Sequence, residues 1–353
     1  MRQPAYSGAV SKVGIVGASG YTGAELLRLL AGHPELEVEL ATGDSQAGRS
    51  IGGLYPNLSG AYGARTFDAW DPAGADGLDL IFCALPHGAS QAIVPELRGR
   101  VATIVDLAAD FRLDDPALYP EWYGETHGVP ELLSEAVYGL PELFRADLVG
   151  ADLIAGPGCY PTAAALALAP LLSAGLVEAT GIVVDAVSGV SGAGRAPKAT
   201  TTFCAADGDV TAYGLLRHRH TPEIEQTLTR VAGSPAQVVF TPHLVPMSRG
   251  MLATCYSRPT SGVGAGDVAE ALSVAYDGEP FVTVVEGSPS TKATHGSNAA
   301  HVAAVLDERA GWVVSLCALD NLGKGASGAA VQCANLALGL PETTGLSAVG
   351  TYP

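Results

Sequence analysis

Three glycines, Gly17, Gly20 and Gly23, follow an apolar run at 13–16 and precede a leucine-rich stretch at 24–30. This strand, turn and helix pattern constrains the fold most, because such glycines permit a tight turn and a close approach of the backbone to a pyrophosphate at a helix start. An ordinary glycine turn is the alternative, since such triplets also arise by chance. The pattern predicts a dinucleotide-binding loop made of Gly17, Ser19, Gly20, Tyr21, Thr22 and Gly23.

Short β-rich runs alternate with helical stretches before residue 158, which is typical of a doubly wound parallel sheet. The runs are almost continuously apolar, as expected when helices cover both faces of the sheet. After Cys159 the strand-like runs outnumber the helices and predict a mixed, largely antiparallel sheet with helices on one side. The predicted fold class is therefore α/β, with a Rossmann-type doubly wound sheet and a second α+β domain.

The charge balance limits the partners of this chain. Nineteen lysines and arginines against 36 acidic residues give a net charge of −17, which repels nucleic acids and anionic lipid surfaces. The apolar runs are too short for a membrane span, and residues 1–12, expected to be a loose tail, lack a secretory pattern. Six cysteines without a C-x-x-C pair predict neither a disulfide framework nor a zinc site, and favour a reducing, cytoplasmic location.

The loop after the second predicted strand, residues 42–49, bears on the choice of cofactor because that strand end meets the adenosine ribose. Asp44 would suit a free 2′-hydroxyl, whereas Ser45 and Arg49 could hold a 2′-phosphate. The residues support both readings, and we expect NADP(H).

Cys159 stands where a predicted buried strand at 153–155 turns into an alanine- and leucine-rich helix. Backbone dipoles at a helix start favour an anion, and a thiol with the reference pKa near 8.5 is only about 3% thiolate at neutral pH without such help. Cysteines are usually inert core residues, which is the expectation for the others. These are Cys83, Cys255, Cys317 and Cys333, with Cys204 left unassigned.

Two histidines, His218 and His220, precede a predicted helix that Thr221 would cap, with Pro222 at its first position. A histidine beside a cysteine is the recurrent pairing for nucleophilic catalysis. Histidines two residues apart could also bind a metal, but no carboxylate or cysteine with suitable spacing accompanies them, so no metal is expected.

Three further features resemble phosphate or cofactor cradles. Residues 188–195 follow a strand and offer many backbone N–H groups, and residues 321–325 precede the last predicted helix. Arg112 lies beyond the carboxyl end of a predicted parallel strand, where ligands bind. Each feature alone could be a turn or a surface charge.

Several of these motifs, in this order, resemble those of the N-acetyl-gamma-glutamyl-phosphate reductase family. The cysteine turn and the His-Arg-His-Thr-Pro-Glu run are specific, whereas the glycine loop alone is not; the wider relative is aspartate-semialdehyde dehydrogenase. The matching segments are 17–23, 156–162, 191–195, 218–224 and the Asn321 segment.

The resemblance implies reduction of the acyl phosphate N-acetyl-glutamyl 5-phosphate by NADPH in arginine biosynthesis, through a thioester on Cys159. It implies that His218 is the acid/base, although His220 could also reach the sulfur, and that the protein is a homodimer or homotetramer. It implies that 325–353 complete the cofactor domain of 1–158, and that 159–324 form the catalytic and oligomerisation domain. The further implied contacts are Ser188, Gly189 and Asn321 to the cofactor, and Arg112, His220, Glu223 and Arg195 to the substrate.

Lys198 is a small departure from the family pattern, in a loop whose contacts the sequence does not assign. Two other functions compete with the family reading. One is reduction of a related acyl phosphate, such as aspartyl phosphate or an aminoadipyl analogue. The other is a nucleotide-sensing regulator that keeps the dinucleotide loop and needs no activated thiol.

Overall fold

The computed structural model describes residues 10–353, which group into two compact units. The first comprises the described residues up to Tyr119 with Glu125–Pro157 and Ala326–Leu346, and the second comprises Pro120–Gly124, Gly158–Gly325 and Ser347–Pro353. The predicted domain ranges stay a prediction. Residues 1–9 of the expected tail lie outside the described part, and Lys12, expected in that tail, belongs to the first strand.

A parallel sheet forms the centre of the first unit. Within residues 10–353 it has six strands in the order β2-β1-β3-β4-β6-β5, and each neighbouring pair is parallel. The doubly wound parallel sheet predicted from the alternation is thereby confirmed. The strands are β1 (Ser11–Val16), β2 (Leu36–Ala41), β3 (Leu80–Cys83), β4 (Thr103–Asp106), β5 (Val137–Tyr138) and β6 (Leu153–Ala155), and the first helices are α1 (Tyr21–Leu30), α2 (Ser90–Leu97) and α3 (Pro141–Leu148).

The burial of the central strands explains their sequence. Every residue of β3, β4 and β6 is buried, as expected for strands covered on both faces. Helix α1 packs its apolar stripe, which includes Leu26 and Leu27, into the same core. The carboxyl ends of β1, β4 and β6 therefore lead directly into the glycine loop, the Arg112 segment and the cysteine turn.

The second unit contains a mixed sheet. In the described chain it has seven strands in the order β11-β12-β13-β10-β7-β9-β8; β11 with β12 and β7 with β9 are parallel, and the other neighbours are antiparallel. The predicted α+β architecture is confirmed. Its strands are β7 (Ile182–Gly189), β8 (Thr211–Ala212), β9 (Val238–Val245), β10 (Met251–Ser257), β11 (Val282–Val284), β12 (Ala300–Asp307) and β13 (Trp312–Leu319), and its helices are α4 (Cys159–Ser173), α5 (Thr221–Ala232) and α6 (Ala265–Ala275).

Helix α4 is the centre of the second core. Each of its residues from Tyr160 to Leu172 is buried, which fits a helix that is apolar on all sides. It packs against β10, β13 and α5. Only its two ends reach the surface, and Cys159 occupies the first of them.

Two local predictions were wrong. Strand β9, predicted from the strand-like run at 238–241, continues to Val245, where its last residues pair with the short edge strand β8. The two-residue strands β5 and β8 were not predicted. At the start of α5, His220 is the N-cap residue and Thr221 is already helical; among the described contacts no side chain caps this helix.

The last helix, α7 (Gly328–Ala337), follows a π-helical turn at Gly323–Ser327 and belongs to the first unit. It packs against α3 and β4 there. Between residues 10 and 353, no helix has the length and apolar character needed to cross a membrane. Single-turn helices occur at Ile51–Leu54, Ser59–Tyr62, Tyr119–Trp122, Phe203–Ala206 and Thr291–Thr294.

Candidate active site

The glycine loop of the first unit can accept only glycine at two of its positions. Gly17 has a φ of 89°, and a Cβ there would lie 2.4 Å from the carbonyl oxygen of Ala84. A Cβ on Gly23 would lie 2.5 Å from the backbone of Gly17 and of Ala18. The backbone is therefore closely packed where α1 begins, and within residues 10–353 no side chain caps that helix start. These features fit the pyrophosphate of a dinucleotide.

Hydrogen bonds join this loop to the segment after β2. The hydroxyl of Ser19 donates to the carbonyl oxygen of Gly43 at 3.0 Å, and the Gly17 N–H donates to Oγ1 of Thr42 at 3.1 Å. Ser45 and Arg49 are exposed on the same segment. The Arg49 guanidinium donates to the side-chain oxygen of Gln46 at 3.1 Å and to a backbone carbonyl. The structure thus brings together the two parts of the predicted cofactor site.

In the second unit, Cys159 is the first residue of α4 and is partly exposed. It lines a pocket of about 520 Å³, together with Tyr160, Ser188, His218 and His220. A helix start favours a thiolate over a thiol, and no acidic residue occupies the first turn of α4 to oppose this effect. The predicted thiol and both predicted histidines therefore border one cavity.

Both backbone groups of Gly158, the residue before Cys159, are hydrogen-bonded. The Gly158 N–H donates to Oε1 of Glu223 at 2.7 Å, and the Gly158 carbonyl accepts hydrogen bonds from the N–H and hydroxyl of Thr162 at 2.9 and 3.0 Å. Glu223 was predicted to bind substrate, but here it is fully buried in the first turn of α5, behind the cysteine turn. The first turn of α5 thereby fixes the start of α4.

Gly325 packs directly against Cys159. A Cβ on Gly325 would lie 2.9 Å from the Cβ of Cys159. The preceding residue, Lys324, is fully buried, with its ammonium 5.8 Å from the centre of the Phe281 ring. The segment after β13, predicted as a cofactor cradle, therefore forms one wall behind Cys159.

His218 belongs to a group of aromatic rings in the pocket wall. Its ring centre is 5.8 Å from that of Tyr160 and 4.8 Å from that of His220, and both pairs are edge-to-face. Its Nδ1 accepts the backbone N–H of His220 at 3.2 Å. Burial, with a further contribution from the charge of Arg219, lowers the pKa of His218 to about 4. The ring is therefore neutral at neutral pH, with its proton on Nε2.

Two tyrosines in the pocket wall were missed by sequence reasoning. The hydroxyls of Tyr160 and Tyr213 lie 2.9 Å apart, and burial raises the pKa of both groups, that of Tyr213 to about 12. Tyr160 falls within the matching segment 156–162 without a predicted role, and Tyr213 lies in a stretch with no recognisable motif. Both remain neutral hydrogen-bonding groups beside the thiol.

The 188–195 segment differs from the predicted cradle of free N–H groups. The N–H groups of Gly189, Val190 and Ser191 donate to carbonyl oxygens of Gly250, Met247 and Ser248, at 2.9, 2.8 and 3.1 Å. Since these donors are already used within the protein, that part of the prediction was wrong. The Ser188 side chain does line the pocket, and its hydroxyl donates to the Gly189 carbonyl at 3.2 Å.

Asn321 joins two loops of the second unit. Its Oδ1 accepts the Gly250 N–H at 2.8 Å, and its Nδ2 donates to the Ser191 hydroxyl at 3.0 Å. The carboxylate of Asp320 organises the same turn by accepting the backbone N–H groups of Leu322 and Gly323. Asn321 therefore holds the segment that was predicted to contact the cofactor.

Arg112 and Arg195, both predicted to bind substrate, occupy different settings. Arg112 is buried in the first unit, where its guanidinium donates to the carbonyl oxygens of Gly156 and Leu107 at 2.7 and 2.8 Å. Arg195 is half-buried in the loop after β7 and does not line the pocket. Within the described residues, no cluster of histidine, cysteine or carboxylate side chains is arranged to hold a metal ion.

Comparison with known proteins decides the family. Residues 12–151 match the semialdehyde dehydrogenase NAD binding domain, and residues 159–321 match the semialdehyde dehydrogenase dimerisation domain. A curated protein of Magnetococcus marinus called N-acetyl-gamma-glutamyl-phosphate reductase is 48% identical over 98% of this chain and 100% of its own length. Another with that name, from Desulforudis audaxviator, is 50% identical over 97% of this chain and 99% of its own.

The chain belongs to the N-acetyl-gamma-glutamyl-phosphate reductase family. The first unit of this reductase family member is thus a nicotinamide-dinucleotide-binding domain. Solved structures support the fold. Aspartate semialdehyde dehydrogenase II from Vibrio cholerae, complexed with ASA, has a TM-score of 0.69 at 17% identity, over 93% of this chain and 98% of that one. The Candida albicans aspartate semialdehyde dehydrogenase with NADP has a TM-score of 0.68 at 14% identity, over the same shares.

Proposed function

We propose that this protein reduces N-acetyl-glutamyl 5-phosphate to N-acetyl-glutamate 5-semialdehyde and phosphate, with NADPH as reductant, in arginine biosynthesis. The observation that carries the proposal is the position of Cys159, at the start of a buried helix and in the wall of the pocket that also contains His218. Near-full-length relatives that carry the reductase name support this choice of substrate.

Acylation of Cys159 is the first step. The thiolate attacks the acyl carbon, so that a sulfur–carbon bond forms and the carbon–oxygen bond to phosphate breaks. The helix start lowers the free energy of the thiolate, and the partly exposed thiol releases its proton to water. A carboxylate would be a poor electrophile, whereas the resulting thioester keeps the carbonyl carbon reactive.

His218 acts at the oxygen atoms that gain charge. Because its ring is neutral and protonated on Nε2, it donates a hydrogen bond from Nε2 to the departing phosphate oxygen or to the thioester oxygen as it becomes anionic. The neighbouring tyrosine hydroxyls of Tyr160 and Tyr213 stay protonated and keep this wall of the pocket uncharged. After hydride addition to the thioester carbon, the tetrahedral oxyanion collapses to the aldehyde, and the carbon–sulfur bond breaks to return the thiolate of Cys159.

When bound, the cofactor would supply a hydride to the thioester carbon. The glycine loop from Gly17 to Gly23 would hold its pyrophosphate, and Ser45 and Arg49 would hold the 2′-phosphate that distinguishes NADP from NAD. Ser188, which lines the pocket, contacts the cofactor, and Asn321 acts by holding the loop that follows Ser188. The exposure of Ser45 and Arg49, on a segment hydrogen-bonded to the glycine loop, supports this assignment.

The remaining predicted contacts concern the substrate. Arg112 stabilises the leaving phosphate, while Arg195 and His220 contribute to substrate binding. Glu223 acts by holding the Gly158 N–H, and so the turn that presents the thiol. The protein forms a homodimer or homotetramer through its second domain, which matches a dimerisation family. It works in the cytoplasm, where the essential thiol stays reduced.

A reverse assay tests the function. Purified protein is incubated with phosphate, NADP⁺ and a panel of semialdehydes, and NADPH formation is followed at constant pH. We expect turnover of N-acetyl-glutamate 5-semialdehyde that greatly exceeds turnover of aspartate semialdehyde or the aminoadipate analogue. Preference for one of the other aldehydes would overturn the substrate assignment, and equal rates and Michaelis constants with NAD⁺ would overturn the assignment of NADP.

Replacement of the nucleophile tests the chemistry in the same assay. Cys159→Ser should abolish turnover and leave NADPH binding, followed by its fluorescence, nearly intact. Cys204→Ser, at an exposed cysteine, is the matched control and should keep full activity. A Cys159→Ser protein that retains more than a few per cent of the rate would exclude the thioester. Mild iodoacetamide labelling confined to Cys159 would argue against the nucleotide-sensing regulator.

A further inference from the structure

The loop after β7 forms a large part of the pocket wall away from the thiol. Lys198, Ala199, Thr200 and Thr201 line the cavity, as do Ala205 and Ala206 of the next short helix. Their side chains are small or aliphatic, apart from the single ammonium of Lys198. The sequence left Lys198 without an assigned contact, and the structure makes it part of the cavity that contains Cys159.

The charges of the lining are unusual for this protein. The chain carries a net charge of −17, yet the described residues that line the pocket include Lys198 and Arg219 and only one carboxylate, Asp209. The Asp209 carboxylate accepts the hydroxyl of Thr211. The described lining therefore has one more cationic than anionic side chain, and its single carboxylate already accepts a hydroxyl group.

The two cations occupy different surroundings. Arg219 follows His218 directly, and its charge helps to keep that ring neutral, so it lies near the reacting end of the pocket. Lys198 lies on the loop after β7, and its ammonium donates one of its three hydrogens to the Ala193 carbonyl at 3.2 Å. That bond holds the ammonium against the cavity wall, and two further hydrogens can meet an anion.

We infer that Lys198 binds the α-carboxylate of the substrate and selects acyl phosphates whose α-nitrogen is uncharged. The inference rests on the proposed function and deepens it by naming a residue that determines specificity. An acylated amino acid keeps its carboxylate and loses its ammonium, so it presents only anionic and neutral groups. A cationic cavity with small apolar side chains complements these groups, whereas a free amino acid would bring a positive charge toward Lys198 and Arg219.

The test compares two aldehydes in the reverse reaction, N-acetyl-glutamate 5-semialdehyde and 4-acetamidobutanal, which is the same molecule without the carboxylate. In Lys198→Met, the Michaelis constant for the first aldehyde should rise by roughly 10- to 100-fold, the usual effect of losing a charge-assisted hydrogen bond. The constant for 4-acetamidobutanal should change less than about twofold, because it has no carboxylate to lose contact with. Lys198→Arg should keep most of the preference, and Lys292→Met, at an exposed lysine outside the pocket, should behave as wild type.

The outcomes separate the inference from the function on which it rests. A Lys198→Met protein that is active and keeps the wild-type preference between the two aldehydes would overturn the role of Lys198 alone. A rise confined to the Michaelis constant for phosphate would also overturn it, since Lys198 would then be a phosphate ligand. Wild-type protein that reduces NADP⁺ with neither aldehyde would overturn the proposed function and, with it, the inference. Thermal unfolding of each variant confirms that it is folded.

Discussion

The backbone N–H of Gly158 donates to Oε1 of Glu223 at 2.7 Å, so the start of α5 holds the residue that precedes Cys159. Glu223 is fully buried and lies 65 residues further along the chain. The contact joins the cysteine turn to the helix that follows His218 and His220. It therefore sets the position of the thiol and of the histidine segment relative to each other.

Substitutions of Glu223 should show whether its hydrogen bond to Gly158 or its negative charge matters for activity. Glu223→Gln keeps an oxygen that can accept the Gly158 N–H, whereas Glu223→Ala leaves that buried donor without its acceptor, which typically costs about 1–3 kcal/mol. We expect Glu223→Ala to lower kcat much more than Glu223→Gln, with a lower unfolding midpoint. Reverse-direction kinetics and urea unfolding measure both effects. Equal activity of the two variants and the wild type would show that this bond does not position the thiol.

His218 and His220 should differ in their effect on the rate. His218→Asn removes the Nε2 donor in the pocket and should lower kcat by roughly 10²- to 10⁴-fold, the usual contribution of a positioned acid/base group. His220→Asn keeps the backbone N–H that Nδ1 of His218 accepts, and should lower kcat less than about tenfold. Steady-state kinetics of the two variants provide the comparison. The opposite ranking would assign the acid/base role to His220.

The lowered pKa of His218 predicts how stability depends on pH. The folded ring titrates near 4 and the unfolded ring near 6.5, so between these values the unfolded chain binds the proton and the folded chain does not. The contribution of the neutral ring is complete above about pH 6.5 and declines as the pH falls toward 4. Wild type should lose on the order of 1–3 kcal/mol more than His218→Asn between about pH 7 and pH 4.5.

Urea unfolding of both proteins at the two pH values measures that difference. The comparison cancels the other titrating groups, including His33 and His301, whose pKa values burial also lowers. Parallel losses in the two proteins would mean that the His218 ring titrates normally when folded. An NMR titration of the ring nitrogens provides an independent reading of the same pKa.

Arg112 should affect the use of phosphate. If its guanidinium stabilises the leaving group, Arg112→Ala raises the Michaelis constant for phosphate in the reverse reaction by roughly tenfold or more. Arg100→Ala removes an exposed arginine of the same unit and is the control. A lower kcat and a lower unfolding midpoint with an unchanged phosphate constant would give Arg112 a different role. It would then act by holding the Gly156 carbonyl, which it contacts at 2.7 Å.

Two glycines of the cofactor loop should respond differently to a methyl group. At Gly23 an added Cβ meets backbone atoms at 2.5 Å, so Gly23→Ala should destabilise the protein by about 1–3 kcal/mol and weaken NADPH binding. At Gly20 the nearest atom is 3.6 Å away and φ is −78°, so Gly20→Ala should fold normally. Thermal unfolding and NADPH fluorescence titration make the comparison. Similar midpoints for the two variants would contradict the close packing at Gly23.

Predictions from the sequence were confirmed where a single physical requirement, such as a positive φ or burial, determines the residue type. The glycine spacing predicted the loop because Gly17 needs a positive φ and Gly23 has no room for a side chain. Uninterrupted apolar runs predicted the buried strands, and β6 has the expected bounds, residues 153–155. The four cysteines predicted to lie in the core are buried. Local composition was sufficient in each case.

Predictions failed where a contact partner lies far away in the chain. The N–H groups after Ser188 were predicted to be available for a ligand. They instead donate hydrogen bonds to carbonyl oxygens of 247–250, about sixty residues later in the chain. Strand β8 has two residues and exists only because β9 pairs with it. The burial of Glu223 and the pocket position of Lys198 likewise depend on tertiary packing. Such pairings leave no periodic signal within the segment itself.

Cys159 is the first residue of α4, the helix around which the second core is built. Adding or removing a single methylene between Ala163 and Leu172 should shift this helix, and with it Cys159, because close-packed interiors transmit such changes. Laboratory evolution for heat resistance should therefore find few silent repackings of this helix. Substitutions in α4 that raise thermostability should therefore also change turnover. A library confined to the edges of the seven-stranded sheet should raise thermostability without lowering turnover.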